Sequence, residues 1–183
     1  MKTQHQLDAR SDLQLVADIN AGDAAAFEVL YFRHRNWVVN LAHRFTGSED
    51  LALDVMQETF IYLLKKFPGF KLTANLKTFL YPAVKNLSIA ARKKTERYQS
   101  TEKEQETLDN IPATDVPPDE LSLVLANLSE EHREVLLLRF VDGLSLAEIS
   151  EAMSIPLGTV KSRLHNALEL LRQDPKTKEF FTS

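Results

Sequence analysis

The stretch Ser145–Arg172, SLAEISEAMSIPLGTVKSRLHNALELLR, carries two short helical patterns joined by a turn. On the second, Val160, Leu164, Ala167, Leu168 and Leu171 recur at helical spacing and form one apolar face. Ser162, His165, Asn166 and Glu169 point away from it, while Lys161 and Arg163 flank the seam. A capped helix, a turn and a second helix with a polar outward face is the geometry of a helix-turn-helix. There the second helix enters a major groove by its N-terminal residues. Thr159, Lys161, Ser162, Arg163 and His165 are then placed to reach phosphates or base edges. An ordinary helical hairpin with a solvated surface shares the pattern, because helical bundles contain many such hairpins.

Two other groups of residues could carry chemistry. Asp54, Gln57 and Glu58 fall at spacings of three and four, so one helix face presents two carboxylates and an amide. Taken alone this is a solvated acidic face. A carboxylate metal site would need Glu-x-x-His pairs on facing helices, and the chain has none. The second group is cationic. From Ile61 to Arg97 stand Lys65, Lys66, Lys71, Lys77, Lys85, Arg92, Lys93, Lys94 and Arg97 against Glu96 alone. From Tyr98 to Glu131 the sign inverts, with Lys103 facing a run of aspartates and glutamates. The net charge of −4 therefore says little, because the charge is segregated. A basic block is an electrostatic footprint for a polyanion, and the acidic block beside it must not bind one.

Other chemistries are excluded. Without cysteine there is no disulfide framework, thiolate metal site or Cys nucleophile. His5, His34, His43, His132 and His165 have no metal-ligand spacing, and neither a Gly-rich phosphate loop nor a supported Ser-His-Asp order occurs. The opening MKTQHQLDARSD has no apolar run, so no signal peptide is expected. No segment approaches the roughly 18 apolar residues of a membrane span, so membrane insertion is not expected and the cytoplasm is the expected compartment.

The elements that must position these residues read as helices throughout. Few glycines and prolines in a chain that is 44% hydrophobic argue for an all-α fold with an ample core. SDLQLVADINAG stops at Gly22, and Asp23 caps a long helix carrying Phe27, Leu30, Tyr31, Trp37, Val38 and Leu41 inward. Gly47 ends it. Ser48 caps the next helix, with Glu49 and Asp50 in its first turn, where the dipole favours anions. Asn75 opens another, running to about Lys94, with Leu76, Phe79, Leu80, Ala83, Val84 and Leu87 as its buried stripe. Pro82 lies inside it, and a kink or break is expected near Thr78–Pro82. Residues 98–119 are polar, acidic and without apolar period, so they read as a flexible linker between two helical domains. Beyond it Ser129 caps EEHREVLLLRFVD, and Gly143 stops it. Ser145 and Glu148 form a capping box with Leu144 and Ile149 as its staple, and Pro156 stands near the start of the last helix.

The residues LSEEHREVLLLRFVDGLSLAEISEAMSIPLGTVKSRLHNALELLR closely resemble region four, the promoter-reading C-terminal domain, of bacterial sigma factors of the extracytoplasmic-function (ECF) class. The segment DVMQETFIYLLKKF, Asp54 to Phe67, resembles the part of region two that grips RNA polymerase. The segment FPGFKLTANLKTFLYPAVKNLSIAARKK resembles the part that melts and reads the minus-ten element. The resemblance implies a small non-enzymatic sigma factor with region two at 10–97, the linker at 98–119 and region four at 120–173. It implies core RNA polymerase and promoter DNA as partners, no cofactor, and allows an anti-sigma factor. By the same resemblance Asp54, Gln57 and Glu58 dock on polymerase. Phe70, Lys71, Lys77, Lys85, Asn86, Arg92 and Lys93 meet the minus-ten strand, and Thr159, Lys161, Ser162, Arg163, His165 and Asn166 meet the minus-thirty-five element. The family usually has tryptophan where Phe79 stands and an acidic residue near Ala90. A stand-alone regulator with a LuxR-like reading head is the alternative, and it would footprint DNA without polymerase.

Overall fold

The computed structural model describes residues 8–103, 125 and 127–173, without the side chains of 98–103. Among these residues the secondary structure is helical only: α1 (Asp12–Asn20), α2 (Ala24–Thr46), α3 (Glu49–Leu64), α4 (Leu76–Lys103), α5 (Glu130–Phe140), α6 (Leu146–Met153) and α7 (Leu157–Gln173). The chain divides into two compact units, residues 1–107 and 108–183.

In the first unit every helix start is capped, at Asp23, Ser48 and Asn75 as expected and at Ser11 in addition. Ser11 and Gln14 form a capping box on α1, Asp23 accepts from the Ala25 and Ala26 amides, and Ser48 accepts from Leu51. The Asn75 side chain accepts from the Lys77 amide at 3.0 Å to start α4. Such caps hold amide donors that the first helical turn leaves without partners. Helix α2 packs against α1, α3 and α4, and α3 also packs against α4. Leu15, Leu30, Leu41, Leu63, Leu76 and Leu80 meet in the interior, all but Leu41 without exposed surface. A side chain of this kind contributes about 1.5–3 kcal/mol when fully buried. An acidic and basic cluster ties α1 down: Asp12 takes Arg33 and buried His34 at 2.7 Å each, and Arg10 bridges Asp8 and Asp18. Burial raises the Asp12 pKa, but His34 and Arg33 more than offset it, and the carboxyl ends below its usual range. Arg10 holds the Asp8 carboxyl down to about 2.

Helix α4 has no break at Pro82, and it outruns its expected end. It runs unbroken through Pro82 and on to Lys103, past the expected end near Lys94 and through the first six positions assigned to the linker. The remainder of the expected linker, 104–119, lies outside the described residues. Pro82 is exposed while Leu80, Tyr81 and Val84 around it are buried, so packing holds the helix although Thr78 loses its i+4 amide donor. The buried stripe is also wider than its apolar residues. Thr78, Tyr81 and Ser88 are buried too, because α4 is covered by both α2 and α3.

In the second unit Ser129 caps α5 and the Ser145–Glu148 box caps α6. Leu144 and Ile149, the expected staple, are wholly buried. Leu128, Leu136 and Ala167 form a core cluster that Leu164, Leu168 and Leu171 of α7 complete. Between α6 and α7 Ser154 adopts the left-handed conformation, φ 53° and ψ 42°. The Ser150 hydroxyl donates to the Ile155 carbonyl at 2.6 Å across this turn. Pro156 accepts from Thr159 and Val160 and starts α7.

Candidate functional site

On α3 the inward positions Ala52, Val55, Met56, Thr59, Phe60 and Leu63 are buried, which leaves Asp54, Gln57 and Glu58 exposed together on the opposite side. None of the three has an ion pair or side-chain hydrogen bond among the described residues. Leu53, Ile61 and Leu64 are exposed on the same helix, at 41%, 51% and 51%. Two carboxylates and an amide framed by bare aliphatic side chains can engage a partner through both charge and apolar contact.

The cations of α4 and the loop before it fall into two groups. Lys71 and Lys93 are exposed and without partners among the described residues, and Asn86 is exposed. Lys77, Lys85 and Arg92 are anchored. Lys77 lies 5.6 Å from the centre of the half-buried Trp37 ring, and Lys85 lies 5.5 Å from that of Phe45. Arg92 reaches the Phe45 carbonyl and Glu96, each at 3.4 Å. Here the ammonium groups themselves lie over aromatic faces, on half-buried lysines, a contact that fixes the position of each charge.

Phe70, expected to meet the minus-ten strand, is buried: it is only 9% exposed, with its ring 4.6 Å from Phe79 and 5.5 Å from Phe67. Phe79 in turn stacks on Tyr62 at 5.9 Å. Apolar burial in this aromatic cluster competes with display at the loop tip, and burial wins. The sequence reading missed Asn20. Its side chain accepts from the Gly69 amide at 2.6 Å and donates to the Phe70 carbonyl at 2.8 Å. A contact between residues about fifty positions apart leaves no trace in local periodicity.

On α7 Lys161, Ser162, His165 and Asn166 are exposed, and Thr159 is half-buried with its carbonyl accepting from the Ser162 hydroxyl at 3.0 Å. Arg163 differs. Its side chain is 19% exposed and pairs with Glu131 of α5 at 2.8 Å. Neighbouring Glu134 is pushed up to about 7 by burial, with Arg163 opposing the rise. The outward face of α7 therefore carries Lys161, unpaired among the described residues, together with the hydrogen-bonding side chains of Ser162, His165 and Asn166. Among the described residues no group of His, Cys, Asp and Glu could hold a metal ion, and no helix is long and apolar enough to cross a membrane.

Comparison with known proteins matches both units. The sigma-70 region 2 family covers residues 30–98, and the sigma-70 region 4 family covers residues 124–173. The ECF RNA polymerase sigma factor SigW of Bacillus subtilis is 32% identical over 174 residues, covering 86% of this chain and 93% of that protein. The ECF RNA polymerase sigma-E factor of Haemophilus influenzae is 29% identical over 177 residues, covering 88% and 93%. Among solved structures, CnrH in complex with the cytosolic domain of CnrY has the same fold at a TM-score of 0.63 and 20% identity, over 93% of this chain and 97% of that one. The sigma factor RpoE of Bartonella quintana, in complex with the anti-sigma factor NepR, gives 0.58 and 22% over 81% and 98%. The stand-alone LuxR-like alternative is not favoured, since it has no place for a region 2 match in the first unit. With both family matches in this order along the chain, and a relative 32% identical over most of its length, the chain belongs to the ECF RNA polymerase sigma factors, which bind core polymerase and direct transcription from specific promoters.

Proposed function

We propose that the two units divide the work of initiation, with residues 10–97 serving polymerase binding and the minus-ten element, and 120–173 serving the minus-thirty-five element. This reading is supported by the separate family matches of the two units and, within the first, by unpaired acids and unpaired cations on different segments: Asp54 and Glu58 on α3, Lys93 on α4 with Lys71 in the loop before it. Asp54, Gln57 and Glu58 dock on a basic surface of the polymerase. Lys71, Lys77, Lys85, Asn86, Arg92 and Lys93 follow the non-template strand. Phe70 supports this surface from below.

Thr159, Lys161, Ser162, His165 and Asn166 meet the minus-thirty-five element, and Arg163 is held at its edge. A face with one free lysine gives weak phosphate grip by itself. Two weak sites linked in one polypeptide and carried by polymerase gain by effective concentration, so the part of the expected linker beyond α4 serves as the tether. The protein performs no catalysis and works in the cytoplasm. An anti-sigma factor is a further partner in this reading, supported by the complexes in which CnrH and RpoE were solved.

Run-off transcription with bacterial core polymerase tests the reading. Discrete start sites should appear only when the chain is added. Failure of core polymerase to capture the chain, or unchanged start-site choice, overturns it.

A further inference from the structure

We propose that Asn20 is a positioning residue for promoter reading: its side-chain amide fixes the backbone at Gly69–Phe70 and so sets the shape of the 71–75 segment. The inference rests on the reading above, in which this loop meets the minus-ten strand. The loop leaves α3 after Leu64 and enters α4 at Asn75, and two contacts anchor it. One is the Phe70 ring, sunk between Phe67 and Phe79. The other is Asn20, the last residue of α1, which uses both halves of its amide on the loop backbone at 2.6 and 2.8 Å. Gly69 sits at φ +104°, a conformation that side chains rarely adopt, and its amide is the one that Asn20 holds.

With Gly69 and Phe70 pinned and Asn75 fixed as a helix cap, the loop keeps only Lys71–Ala74 free between its anchors. Lys71 and Thr73 are the exposed residues of that span. A site built on a loop is accurate only where supporting hydrogen bonds hold it, and preorganisation cuts the ordering cost at the moment of binding. Asn20 is part of neither the acidic α3 face nor the cationic α4 face. Its effect on reading must therefore pass through the loop.

The experiment uses the full chain with core polymerase on a DNA pool randomised across the promoter, followed by sequencing of the transcripts. Wild type defines the base preference. Asn20→Ala is expected to melt at a lower temperature but to retain core affinity, while losing about tenfold in preference at the minus-ten positions, the scale of two backbone hydrogen bonds. Asn20→Asp, which keeps the acceptor for Gly69 but not the donor to Phe70, should fall between. If Asn20→Ala does not fold, Asn20→Asp decides alone. A wild-type preference profile in the folded variant overturns the proposal. Lys71→Ala separates the two readings. If it flattens the preference while Asn20→Ala does not, only the Asn20 assignment fails; if neither does, the loop is not a reader.

Discussion

Arg163 on α7 is held by Glu131 on α5, guanidinium to carboxylate at 2.8 Å, with the arginine side chain largely covered and the glutamate 65% exposed. Two adjacent cations of the same helix thus differ in kind. Lys161 is exposed and unpaired among the described residues, whereas Arg163 joins two helices. Lys161→Ala should weaken promoter binding and reduce the slope of log affinity against log salt by about 1. Arg163→Ala should also lower the melting temperature. The double variant should reduce promoter-dependent initiation while core binding, measured by fluorescence anisotropy, is unchanged. Equal loss of both would indicate misfolding instead.

Glu134 makes the second unit sensitive to pH. Its folded pKa of about 7 lies above the ordinary carboxyl value of 4.5, so between these values the folded chain binds more protons than the unfolded one. Stability therefore falls as pH rises from about 4.5 to 7. Glu134→Gln removes this slope and should stabilise the chain at pH 8 by about 1 kcal/mol, after discounting for solvent screening. Calorimetric melting at pH 5.5 and 8 reads the difference. A wild-type slope in the variant would assign the effect elsewhere.

Asp12 titrates in the opposite sense. Its pKa is lowered in the fold, so its contribution is present above the usual carboxylate range and is lost as pH falls through the folded value. Asp12→Asn weakens both the Arg33 and His34 contacts. It should cost about 1–3 kcal/mol at neutral pH and flatten the acid limb of the stability curve. Hydrogen exchange should quicken first in α1.

Asp54→Lys with Glu58→Lys reverses the free charges of α3. Both side chains are exposed and unpaired among the described residues, so melting should change little. Core polymerase capture should fall at least about tenfold, and more steeply at low salt. Undiminished capture would remove this face from the docking surface.

Pro82→Ala tests the packing argument for α4. The ring is on the solvent side and the missing amide leaves the Thr78 carbonyl without its i+4 donor. Alanine restores that bond and should add about 1–3 kcal/mol in urea unfolding. A loss of stability would mean that the surrounding core requires the proline geometry.

The helices and their caps were legible in the sequence because each rests on residues three or four positions apart. Ser145 with Glu148, Asp23 before α2 and the Val160–Leu171 face are of this kind. The charge reading also placed Asp54, Gln57 and Glu58 together on an exposed face. What the sequence concealed depends on contacts across the fold. Phe70 looks like a loop residue until Phe67 and Phe79 close over it, and Arg163 looks like a DNA contact until Glu131 arrives from α5. Burial of Thr78, Tyr81 and Ser88 is invisible to an apolar period, because two helices cover α4 and its polar residues go inward with the rest.

Ser154, with φ at 53°, occupies a backbone shape in which a Cβ atom costs about 1–2 kcal/mol. A glycine there would relieve that tension but would also let the corner swivel. By keeping a stiffer residue at the joint, the chain gives up a little stability for a narrower range of angles between α6 and α7.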